Sequence, residues 1–123
     1  MARILLADDD DDIRSTVSAV LASEGHEVVE ARNGMHALQV LAREPLPDVI
    51  ILDILMPVMN GFEFLDRMQH DERIKHIPVL AVTAHAKVSE IHGVVRVIRK
   101  PFDLDRLLAA IELCAPSPKR SIG

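Results

Sequence analysis

The feature that most constrains this chain is a run of four apolar residues, Val49, Ile50, Ile51 and Leu52, closed by the carboxylate of Asp53. An apolar run of that length without alternation is the pattern of a strand buried on both faces, as in a parallel sheet covered by helices on each side. Asp53 falls at the carboxyl end of that strand, the edge where open α/β sheets place their ligands. Pro57 and the Asn60-Gly61 pair then mark a loop, and Phe62, Leu65 and Met68 recur at helical spacing beyond it. Asp53 is therefore expected at a strand-to-helix turn. A single carboxylate there serves equally well as a strand terminator, so the rest of the chain has to weigh in.

Taken in order, RILLA at Arg3–Ala7 reads as a short buried strand, and five carboxylates at residues 8–12 follow it directly. Ile13, Val17, Val20 and Leu21 give a helix its apolar face, and Gly25 its stop. Asp10, Asp11 and Asp12 suit the positive end of that helix, whereas Asp8 and Asp9 again end a strand in carboxylates. EVVEA at Glu27–Ala31 alternates enough to lie at a sheet edge, and Asn33-Gly34 opens a helix through Ala37, Leu38 and Leu41. Pro45 and Pro47 close that unit. After the central strand and its helix, residues 71–76 form a polar loop into Pro78, and residues 79–82 make a fourth strand ending at Thr83. Residues 94–98 make a fifth strand stopped by Lys100-Pro101, and Leu104, Leu107, Leu108 and Ile111 mark a last helix. Residues 115–123, with two prolines and a Lys-Arg pair, read as a disordered tail, which leaves residues 2–114 as the domain.

Strands alternating with helices, joined by right-handed crossovers, build a doubly wound five-stranded parallel sheet of flavodoxin-like order 2-1-3-4-5. That order brings Asp8, Asp9, Asp53, Thr83 and Lys100 to one edge. Composition narrows the function: 123 residues with 49% hydrophobic content suit one core, and a net charge of −5 with no long basic run argues against direct nucleic-acid binding. Three Phe with no Tyr or Trp offer little for stacking on bases or flat cofactors. Cys114 has no partner for a disulfide and stands at core-facing spacing from Leu107 and Ile111. No apolar run approaches a membrane span and no signal-peptide pattern opens the chain, so a cytoplasmic protein without membrane contact is expected.

Acidic groups at two adjacent strand ends are what a hard cation such as Mg²⁺ requires, with water completing its shell. A hydroxyl and an ammonium beside them suit an anion. Together these groups describe a phosphoryl site in which a carboxylate acts as nucleophile and forms an aspartyl phosphate.

With these residues in view, the chain resembles the response-regulator receiver domains of two-component signalling over residues 2–114. ILLADDDDDIR is similar to the family's first strand and acid pair, LDILMPVMNGFEFL to its phosphoacceptor turn, VTA to its switch strand and KPF to its lysine turn. The resemblance implies that Asp53 accepts a phosphoryl group from a histidine kinase or phosphotransfer protein. It implies Mg²⁺ held by Asp9, Asp53 and the Leu55 backbone carbonyl, with Asp8 assisting. Thr83, Ala84 and Lys100 would flank the phosphoryl group, and the bond before Pro101 would be cis. Output would pass to an unknown downstream protein by contact, since only nine residues follow Cys114.

The chain departs from the family in two places. Only nine residues separate Thr83 from Gly93, so the fourth helix is expected to be shortened or missing. Where the family carries a mobile aromatic on the fifth strand, this chain has Val97, whose branched side chain has few rotamers. A relay through Thr83 would then be weakened, and a loop over residues 84–92 would order on phosphorylation instead. Apolar Leu55 and small Ala84 predict a pocket that orients water poorly, with His85 the nearby polar candidate. His85 and His92 lack companions at zinc-site spacing. Among rival readings, an Asp-nucleophile phosphatase needs an acid where Leu55 stands, and a phosphate-independent scaffold would be expected to lack one of the acids, Thr or Lys. A nucleotide-binding protein would need a Gly-rich loop after a strand.

Overall fold

The computed structural model describes residues 1–84, 91 and 93–114. It contains β1 (Arg3–Ala7), α1 (Asp11–Ser23), β2 (Glu27–Ala31), α2 (Gly34–Leu41), β3 (Val49–Asp53), α3 (Gly61–Gln69), β4 (Val79–Thr83), β5 (Arg96–Arg99) and α4 (Leu104–Cys114). The strands form one sheet in the order β2-β1-β3-β4-β5, every neighbouring pair parallel. This is the doubly wound architecture expected from the alternation of strands and helices.

Burial follows the sequence pattern. Every residue of β3 and β4 is buried, whereas β2, with Glu27 and Glu30 exposed, lies at the edge. The sheet separates two apolar layers. On one face Leu5, Ile50, Leu52 and Ala81 pack with Ala37, Leu41, Phe64 and Met68 of α2 and α3. On the other, Ile4, Leu6, Ile51 and Leu80 pack with Val17 and Leu21 of α1 and Leu107 and Ile111 of α4. Successive strand residues thus feed opposite layers, as the period of two requires.

Local signals set the helix ends. The Asp10 side chain caps α1 by accepting from the Asp12 and Ile13 amides, and Asn33 caps α2. Asn60 and Glu63 close a capping box on α3, each side chain accepting from the other's backbone N–H. After α1 the chain turns at Gly25, whose φ of 91° suits glycine.

The structure differs from the sequence expectations at the start of β5. The last strand is Arg96–Arg99 rather than residues 94–98, because Gly93 at φ 91° redirects the chain and Val94 packs into the α2/α3 layer from the loop. Phe62 is half exposed, and the buried stripe of α3 runs through Phe64, Leu65 and Met68. Cys114 packs half-buried against the α1/α4 layer, where burial raises its thiol pKa and nearby Arg96 works against that. Among the described residues there are four helices, and none of them lies between β4 and β5. His85, His92, most of the 84–92 loop and the tail at 115–123 lie outside the described residues. Among the described residues, no helix is long and apolar enough to cross a membrane.

Candidate functional site

Parallel register delivers the polar groups to one edge. Ala7 pairs with Leu52 and Asp53 with Val82, so Asp8 leaves β1 level with Asp53. Thr83, paired with Arg99, stands one step further along, and Lys100 follows directly. The Lys100 side chain therefore folds back over Asp53.

Asp8 and Asp53 are both buried, an unusual state for carboxylates unless they are paired. The Asp8 carboxylate accepts from the Asp10 N–H at 2.9 Å and from Lys100 Nζ at 3.2 Å. Asp53 accepts from the Leu55 N–H at 3.2 Å, and its other oxygen lies 3.4 Å from Lys100 Nζ. One ammonium thus bridges two carboxylates. Asp9 is exposed, and Asp8, Asp9 and Asp53 each offer a carboxylate oxygen within 4.8 Å of the others.

The electrostatics follow from that crowding. Burial, then the charge of Asp8, pushes the Asp53 carboxyl up to about 7, while Lys100 and the Leu55 N–H pull the other way. Burial works against the charge on Lys100, but Asp53 and Asp8 outweigh it and hold its pKa above the ordinary value. The site therefore has more negative charge than its one ammonium can satisfy. Three hard oxygen donors converge with one side open to solvent, a donor set that fits Mg²⁺ with waters filling the remaining positions.

Residues 4–112 match the family profile described as Response regulator receiver domain. The chain belongs to the response-regulator receiver family. It is 35% identical to Protein PilH of Pseudomonas aeruginosa, covering 90% of this chain and 95% of that protein. It is 34% identical to sporulation initiation phosphotransferase F of Bacillus subtilis, covering 93% and 94%. Against the DNA-binding dual master transcriptional regulator RpaA of Synechocystis it is 37% identical, but the match spans 48% of that longer protein. Among solved structures, the chemotaxis response regulator CheY4 of Vibrio cholerae superposes with a TM-score of 0.82 at 34% identity, over 93% of this chain and 98% of that one.

The remaining receiver positions are arranged as follows. Thr83 is fully buried, and its carbonyl accepts from the Lys100 N–H at 2.8 Å. The Lys100–Pro101 bond is cis, as is Glu44–Pro45. Exposed Ala84 lines a groove of about 540 Å³ with Lys100, Pro101 and Phe102 on one wall and Ile13 and Thr16 of α1 on the other. Val97 is half-buried and packs against the α2/α3 layer, as Val94 does. The Leu55 side chain is half exposed beside the acids.

Two residues of the site were not legible as such in the sequence. Arg14 donates to the Asp8 carbonyl at 2.7 Å and pairs with Asp11 and Glu30. Burial opposes its charge, and those two carboxylates outweigh that opposition. Its spacing of three from Asp11 on one helix was the available signal. Val58 adopts φ 67° in the loop after Asp53, and nothing in a valine announces that conformation.

Proposed function

We propose that this receiver accepts a phosphoryl group on Asp53 from a phosphohistidine of a kinase or phosphotransfer protein. The observation that carries the reading is the convergence of three carboxylates within 4.8 Å beneath one lysine, at the carboxyl ends of adjacent strands. A carboxylate oxygen of Asp53 attacks phosphorus, the P–N bond breaks, and its electron pair leaves with the imidazole. Asp9, Asp53 and the Leu55 carbonyl would hold Mg²⁺, with Asp8 assisting. The ion would neutralise the phosphoryl oxygens and supply the charge compensation that phosphoryl transfer needs.

The protein's own groups complete the site. Lys100 holds the acceptor carboxylate and can move to a phosphoryl oxygen once that carboxylate is phosphorylated. Thr83 and Ala84 flank the same edge and would contact the phosphoryl group through hydroxyl and backbone. The groove between α1 and the turn at Pro101 opens beside Lys100, and its apolar lining suits the surface of a phosphodonor protein. Catalysis by the chain itself would be limited to its own phosphorylation and dephosphorylation. Output would pass to a downstream protein, with Val97 in place of a swinging aromatic.

The test is the intact mass after incubation with acetyl phosphate and Mg²⁺. One phosphoryl mass is expected on the wild type, none without Mg²⁺ and none on Asp53→Ala. A gain that persists in Asp53→Ala would assign the acceptor elsewhere.

A further inference from the structure

Arg14 ties three elements together by charge at the edge that carries the acids: the end of β1, the first turn of α1, and β2. Its Nη1 donates to the Asp8 carbonyl at 2.7 Å, its Nε donates to the Glu30 carboxylate of β2 at 3.0 Å, and its Nη2 pairs with Asp11 in the first turn of α1. The Arg14 side chain is 16% exposed, while its partner Asp11 is 85% exposed. The guanidinium is thus sheltered inside the turn that carries the acid pair.

That Asp8 carbonyl belongs to the peptide group joining Asp8 to Asp9. A peptide group is planar, so pinning its oxygen fixes the plane and the direction in which Asp9 leaves. The Asp8 amide is pinned from the other side, donating to the Ala31 carbonyl at 3.0 Å. Both anchors come from the last two residues of β2, a strand that contributes no donor to the metal site. Asp8 is also held through its own carboxylate by Asp10 and Lys100. Asp9 differs: it is exposed, and its carboxylate meets that of Asp53. When both carboxylates are charged, as metal binding requires, they repel each other and its placement depends on the backbone.

We propose that Arg14 is a positioning residue for the metal-binding carboxylates, holding the Asp8–Asp9 peptide against Glu30 so that Asp9 stays beside Asp8 and Asp53 despite their repulsion. The proposal rests on the Mg²⁺ reading above. Arginine suits the task because its planar fork spans a carbonyl and two carboxylates at once, whereas a lysine ammonium is a point charge on a flexible stem.

Calorimetric titration of Mg²⁺ into the full chain tests this, with melting temperature and amide chemical shifts of the ion-free protein recorded alongside. Arg14→Lys is expected to weaken Mg²⁺ binding about tenfold, in the range found for partners that orient metal ligands, and Glu30→Gln by a smaller factor. The Asp9 and Asp10 amides should shift in both variants. The double variant should bind no more weakly than Arg14→Lys, because both changes break one contact. Lys75→Gln removes a surface ion pair of 2.8 Å with Glu72 and should leave the affinity unchanged. A lowered melting temperature with wild-type Mg²⁺ affinity in Arg14→Lys and Glu30→Gln would overturn the positioning role alone. Absence of Mg²⁺ binding by the wild type would overturn the metal reading with it. If Arg14→Lys fails to fold, Glu30→Gln carries the test.

Discussion

The turns after β1 and β3 each deliver a carboxylate to the same edge, but they are built in opposite ways. The β1 turn is short and held by charge: Asp10 caps α1, the Asp8 carboxylate takes the Asp10 amide, and Arg14 ties the Asp8 carbonyl to Asp11 and Glu30. The β3 turn is longer and held by backbone geometry. Met59 N–H donates to the Pro57 carbonyl at 2.7 Å across Val58, which sits at φ 67°, and Gly61 N–H donates to the Ile54 carbonyl at 2.8 Å. A three-residue turn around a β-branched residue at positive φ is strained. The β3 turn therefore carries conformational cost, and the β1 turn carries electrostatic cost.

The contrast can be broken most forcefully at Gly61. A Cβ there would lie 2.6 Å from the Ile54 Cδ1, 2.7 Å from the Ile54 Cα and 3.1 Å from the Asp53 carbonyl oxygen, so backbone as well as a side-chain end would have to yield. Gly61→Ala is expected to destabilise the fold by about 3 kcal/mol, the upper end for overpacking, as read from the midpoint of urea unfolding. A loss of a few tenths would show that the β3 turn is not fixed by close backbone approach.

Electrostatic cost should appear in the pH dependence. The Asp53 carboxyl is raised to about 7, so between its unfolded value near 4 and pH 7 the native state binds more protons than the unfolded chain. Stability without Mg²⁺ should consequently fall as pH rises through that window. Asp53→Asn removes the dependence and should stabilise the ion-free protein by about 2 kcal/mol at pH 8 while leaving it little changed at pH 4. Mg²⁺ should recover much of the difference in the wild type and little in the variant. Melting curves across pH with and without the ion check this, and parallel curves for the two proteins would contradict it.

The smallest expected effect is a gain. Val58→Asn places at φ 67° a residue that tolerates the left-handed region, and it should stabilise the fold by about 1 kcal/mol. Val58 is 79% exposed, so little packing is lost. Chemical denaturation measures the change, and a net loss would mean that the β3 turn is not strained there.

Much of this molecule could be read before its coordinates. Unbroken apolar runs at residues 49–52 and 79–82 implied strands buried on both faces, and both are buried throughout. Asp8, Asp9, Asp53 and Lys100 were expected at one edge and do converge there. The β5 boundary was misread because Val94 and Val95 have strand-like side chains, while Gly93 and the loop decide that Val94 packs on the core and Val95 is 60% exposed.

Order and type of the elements were determined by the sequence itself, since apolar period, capping residues and Gly or Pro stops act over a few neighbouring residues. Which charges meet was decided by the tertiary structure. Lys100 bridges Asp8 and Asp53 across 92 and 47 positions of chain, and Arg14 reaches Glu30 on a neighbouring strand. Ionic contacts at such separations depend on register between strands and on burial, which lowers the local dielectric and pushes the Asp53 carboxyl up to about 7. No local pattern encodes either quantity.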